Sequence, residues 1–222
     1  MRAPIPTAPA SSGRPDDRAL DDRPTRSSRI RLVVVLLCAA GTSAIALTDA
    51  VVHGVTGHSV LPAEETEPAV VVASIIHGIT YAALCWVLVT EAYRIDSGAR
   101  LRTWLRRGLI ADLLVMSALF LVGIPLSAWI SALRTNPTVD DVFSVVGNGA
   151  FLGMFALAFA LGVSTIRRAA LRPAPYLLIG IVPAIGLMIG LGALGSDFAH
   201  PAYAETLVNF GIALFGRRRH QH

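Results

Sequence analysis

Carboxylates and imidazoles set inside apolar runs are the residues of this chain that could do chemistry. Asp49 and His53 stand four apart, so on a helix they project about 40° from one another, with Thr42 and Cys38 on the same stripe. Ser74, His77 and Tyr81 line up in a second apolar run, with Cys85 drifting off the line, and Glu205 pairs with Asn209 in a third, with His200 just before it. An ionisable group inside a bilayer costs several kcal/mol unless it is paired or wetted, so each such residue is a functional hypothesis by default. Two of the histidines sit in matching hexapeptides, VVHGVT at 51–56 and IIHGIT at 75–80.

Those residue types fit three chemistries. Carboxylates and imidazoles that titrate near neutral pH suit a site for protons or a small solute, and Asp49, His53, His77, Tyr81, Glu205 and Asn209 are its expected lining, with His58 and His200 at the rim. His53, His77 and His200, with two carboxylates nearby, are also sufficient donors for a metal ion, and His53 with His77 would suit the two axial positions of a haem. No HExxH motif or other ligand pair of recognised spacing is present, so no cofactor is specified. For an enzyme, Ser74 and His77 at i and i+3 are a nucleophile and base to consider, with Asp49 to orient the imidazole. The pattern favours binding or translocation over catalysis, and no catalytic residue is assigned. A structural subunit without chemistry of its own is the third class.

The elements that must position these residues are membrane helices. In 222 residues, 54% are hydrophobic and 15% charged, against about a quarter charged in ordinary soluble domains. The mean hydropathy is +0.60. Every basic residue is Arg, and the arginines occupy gaps between apolar runs, where they set topology; the basic pI of about 9.7 therefore does not imply nucleic acid as a partner. The lipid bilayer is the expected environment, in a multi-pass protein of the cell membrane and specifically a bacterial plasma membrane.

Residues 1–29, rich in Pro, Ser, Arg and Asp, read as a disordered tail. Apolar segments follow at about 32–55, 69–92, 108–131, 142–166, 174–195 and 201–216, and residues 217–222 form a basic tail. The first segment is read as an uncleaved span. AIA at 44–46 would suit signal cleavage, but the charged lead exceeds thirty residues and the apolar run continues past it. The last segment, about 24 Å long as a helix, is short for a crossing and would also suit an interfacial helix.

Charge favours the crossing. Eighteen arginines fall in one set of alternate gaps and Arg134 alone in the other, which places both termini in the cytoplasm and requires an even number of spans. The expected fold is thus all-α, an integral membrane bundle of six transmembrane helices over residues 30–216. Gly149 with Gly153, and Gly186 with Gly190, are GxxxG pairs suited to close helix packing within the chain or with a membrane-protein partner. Pro125 and Pro183 should kink their helices. Glu91 and Asp112 are expected to pair with Arg94, Arg106 and Arg107 at the cytoplasmic boundary, where Trp104 and its arginines suit anionic lipid headgroups. Cys38 and Cys85 lack the spacing of a redox pair and read as small buried hydrophobes.

Overall fold

The computed structural model describes residues 26–60, 68–130, 133 and 136–218. Most of the tail expected at 1–29, and residues 219–222 of the basic tail, lie outside the described residues. The described residues are helical with short connections and no strand. Helix α1 spans Arg26–Thr56 and α2 spans Pro68–Thr90. A short α3, Ala92–Asp96, is followed by Ser97 and Gly98, both at positive φ. Helix α4 then spans Arg100–Ala118, so the arginine-rich segment expected to lie between spans is largely the first two turns of a helix.

A π-turn at Leu119–Gly123 joins α4 to α5, Ile124–Trp129. Pro125 is the physical reason: it has no N–H to give the Leu121 carbonyl, and its ring crowds that oxygen, so the turn widens ahead of it. After α6, Pro137–Thr165, the next apolar run is broken into α7, Ala174–Ile179, and α8, Ile181–Ala193. The break at Gly180 lies where Pro183 cannot donate to Ile179. Both expected kinks are therefore present.

Five helical stretches are long and apolar enough to cross a membrane: Arg26–Thr56, Pro68–Thr90, Arg100–Trp129, Pro137–Thr165 and Ala174–Ala193. The sixth segment is the short helix α9, Ala202–Ala213, extended by a 3-10 turn at Leu214–Gly216. It is not an amphipathic helix on a surface. Ala204, Glu205, Val208, Asn209, Ile212 and Ala213 are all buried, and it packs against α1, α2, α7 and α8 in the middle of the bundle. Longer helices shield its polar groups, so it can carry them where a lipid-facing helix could not.

One end of the bundle is rich in arginine. Glu91, only 1% exposed, receives a guanidinium N–H of Arg31, one of Arg94 at 2.9 Å, and has Arg218 at 3.6 Å. Arg94 also donates to the carbonyls of Phe215, Ala170 and Arg217, so the start of α1, the end of α2 and the end of α9 are tied together. Arg106 pairs with Asp96 through two bonds of 2.8 Å, and that guanidinium holds the Asp96 carboxyl below its ordinary range. The expected partnership was different: Asp112 is not in this cluster but lies beside Gly153, where an added Cβ would sit 2.9 Å from its carboxylate. Trp104 is exposed. Cys38 and Cys85 are free thiols.

The GxxxG pairs are used unevenly. Gly153 faces Asp112, whereas Gly149, Gly186 and Gly190 have no heavy atom within 4 Å of a built Cβ. The tight approaches are elsewhere, at the glycines of the two matching hexapeptides. A Cβ on Gly54 would lie 2.4 Å from the Phe198 ring, and one on Gly78 would lie 2.5 Å from Leu121 Cγ and 3.0 Å from its backbone N.

Candidate functional site

Helix register decides which polar residues meet. Arg31 with Glu91 and Thr42 with Thr80, 2.6 Å between hydroxyl oxygens, set one antiparallel alignment of α1 and α2. His77 is then level with Ile45, eight residues short of His53, or about 12 Å along the axis. The two hexapeptide histidines therefore do not face one another. What the hexapeptides share is a packing role, since in each the glycine after the histidine receives a side chain of another segment.

The meeting partner of His77 is α9. Tyr81 donates its hydroxyl hydrogen to Glu205 Oε1 at 2.8 Å, with both residues buried, and His77 Nε2 lies 3.8 Å from the same oxygen. His77 Nδ1 is 2.8 Å from the Ala73 carbonyl, which can only accept, so Nδ1 carries a hydrogen. The neutral ring then offers Nε2 as an acceptor, and the protonated ring offers a second N–H toward the carboxylate. Phe120, from the π-turn, stacks on His77 with centroids 5.4 Å apart and meets Tyr81 edge-on at 5.7 Å. An aromatic wall thus stands on one side of the imidazole and phenol.

A second pair lies toward the other end of α1. His200 Nε2 is 3.7 Å from Asp49 Oδ2, and Asp49 Oδ1 accepts from the Val60 N–H at 2.7 Å. His200 Nδ1 accepts from the Ala202 N–H at 3.2 Å, so a neutral ring presents N–H to the carboxylate. Burial lowers the His200 imidazole below its ordinary value of 6.5; Asp49 opposes that shift, His53 adds to it and Glu205 opposes it. His200, expected at the rim or as a metal donor, is thus electrostatically linked to both carboxylates. His58 is exposed.

The site has an inner end. Asp49 with His200, and Ala46 and Ala50 with Ala202, align α1 antiparallel to α9, which puts Ser43 level with Thr206. Ser43, Ala46, Ala50 and His53 form one stripe of α1 turned toward α9. Asn209, one turn below Glu205, is fully buried, and neither its Nδ2 nor its Oδ1 has a partner; Ser43 Oγ, Thr206 Oγ1 and His53 Nδ1 are likewise buried and unpartnered. Beyond Asn209 the core is apolar, with Val35, Leu84, Leu88, Ile212 and Phe215 at 0% exposure between it and Glu91.

Of the expected lining, Tyr81, His77 and Glu205 are brought into one group, Asp49 joins His200, Asn209 lies one turn below Glu205, and His53 sits apart from His77. Among the described residues no group of three or more His, Cys, Asp or Glu is placed to hold a metal ion, and His53, His77 and His200 do not converge. Ser74 donates to Val71 O, within its own helix, so no Ser74–His77 bond exists. Phe120, Ser43 and Thr206 have no sequence signal, because only the π-turn and the α1–α9 register bring them in. No protein-family model, characterised protein or solved structure matches this chain.

Proposed function

We propose that this is a multi-pass cell-membrane protein that binds a small cationic or hydrogen-bonding solute, or a proton, at Glu205. The observation that carries the reading is a carboxylate only 7% exposed, on a central helix, served by one hydroxyl hydrogen and one imidazole. An unbalanced carboxylate in such a place costs several kcal/mol, and no arginine is among its partners. A proton, a protonated His77 or a bound cation supplies the balance. The apolar core beyond Asn209 favours a site approached from one side over an open channel. In this reading α9 is a short sixth crossing and both termini are cytoplasmic, supported by the arginine bias and by the meeting of Arg31 and Arg218 on Glu91.

The test uses the detergent-purified full chain. Methylammonium should move the midpoint of thermal unfolding of the wild type in a saturable way, as expected when a ligand binds only the folded state. Glu205→Gln should lose the methylammonium shift. An undiminished shift in that variant would remove Glu205 from the site.

A second reading, a helix-packing subunit of a larger membrane assembly, is favoured by the open Gly186 and Gly190 face of α8. Cross-linking from a cysteine at Gly186 in native membranes separates it, since a packing subunit gives one discrete adduct.

A further inference from the structure

The inner end of the site carries a more specific statement about the ligand, one that rests on the Glu205 reading. Ser43 Oγ, Thr206 Oγ1, and Nδ2 and Oδ1 of Asn209 are four polar atoms without a partner along the α1–α9 seam, Ser43 level with Thr206 and Asn209 three residues further along α9. Ser43 shares its helix face with Ala46 and Ala50, which pack on Ala202 of α9, so the serine points toward the seam. An unsatisfied buried polar group is costly, because the hydrogen bonds it made to water are not replaced. Four such atoms, one on α1 and three on α9, are more than a seam kept for packing alone would retain.

Polar groups on the α2 side of the same level have partners. Thr42 bonds Thr80, and Thr80 also bonds the Cys38 carbonyl at 3.1 Å. Tyr81 bonds Glu205. On the α1–α9 seam the unpartnered atoms are His53 Nδ1, Ser43 Oγ, Thr206 Oγ1 and the Asn209 amide, and Arg31 Nε, Asp112 Oδ2 and Arg218 Nε are unpartnered elsewhere.

We propose that Asn209, Thr206 and Ser43 form a subsite for an uncharged solute group that both donates and accepts hydrogen bonds, a carboxamide or a hydroxyl, held one helical turn below the group that meets Glu205. Asn209 offers a donor and an acceptor side by side, the complement of another amide, and the two hydroxyls can serve either role. The site has no cation for an anionic group, and Glu205 above it repels one. A solute filling both positions therefore carries an amine or hydroxyl at one end and an uncharged amide or hydroxyl at the other, separated by about one helical turn, 5.4 Å.

Acetamide is the probe for the lower position and methylammonium for the upper. In the detergent-purified full chain, acetamide should raise the unfolding midpoint to a plateau. Asn209→Leu should abolish that rise, and Ser43→Ala with Thr206→Val should weaken it while leaving the methylammonium response intact. The double variant removes only hydroxyls, so it keeps the test open should Asn209→Leu fail to fold. An acetamide rise that is absent, unsaturable or unchanged in these variants overturns the subsite. An Asn209→Leu protein more stable than wild type overturns it as well, because an apolar side chain would then simply have cured a mismatch. If methylammonium responds through Glu205 and acetamide does nothing, the subsite falls and the Glu205 reading stands; if acetamide responds through Asn209 and Glu205→Gln changes nothing, the reverse holds.

Discussion

His200 shows how a single side chain at the end of the bundle couples stability to acidity. Its imidazole is lowered below 6.5 chiefly by burial, with the His53 charge in the same direction and Asp49 and Glu205 against it. The unfolded chain therefore binds its proton first as pH falls. The contribution of the neutral ring, which accepts from Ala202 N–H and faces Asp49, is complete above pH 6.5 and is lost as pH falls through the folded-state value. His200→Gln should accordingly flatten the loss of thermal stability between about pH 7 and pH 5; a wild-type acid limb that persists in the variant would assign it to other groups. At the same scale, the candidate site was legible in part. Asp49, Glu205 and Asn209 stand out because charge and amide are rare in apolar runs, and the i, i+4 spacing of Glu205 and Asn209 put them on one face. His53 and His77 were both expected in one lining, but their relative depth follows from the Arg31–Glu91 and Thr42–Thr80 contacts between helices, which no single apolar run reveals.

Among the elements, the π-turn in the third span and the glycine facing it act together. Leu119–Gly123 widens because Pro125 withholds an N–H, and the widened turn presses Leu121 onto Gly78 while Phe120 covers His77. Ser117 Oγ donates to the Gly78 carbonyl at 2.9 Å, fixing the same approach from the helix before it. Gly78→Ala places a methyl 3.0 Å from a backbone nitrogen that cannot move aside, and should destabilise by about 1–3 kcal/mol, the range for overpacking. Gly54→Ala meets first the Phe198 ring, which is 38% exposed and can swing outward, so its cost should be smaller. Thermal unfolding of the two variants in one detergent checks the order, and an equal or reversed loss would contradict the close-packed turn. The five long helices were legible from apolar length alone, since any helix that crosses lipid must be apolar for about 20 residues. Helix α9 escapes that signal because protein surrounds it, and a helix surrounded by protein is free to be short and polar.

At the scale of the molecule, the arginine asymmetry and the convergence of chain ends make a topological statement that labelling checks. A cysteine at position 64, in a cysteine-free background, should react with a membrane-impermeant maleimide added outside intact cells. One at Gly98, beside the arginine-rich end, should react only after permeabilisation; the opposite pattern would invert the orientation. The clamp on Glu91 also bears on how the protein comes to be made. Its carboxylate leaves the ribosome with Arg31 already made and Arg94 next to follow, but Arg218, and the Phe215 and Arg217 carbonyls that Arg94 grips, are synthesised only after α9. The segment after α9 thus meets the start of α1 on a single carboxylate, so the seating of the helix that carries Glu205 is tied to the charge of a residue at the opposite end of that helix.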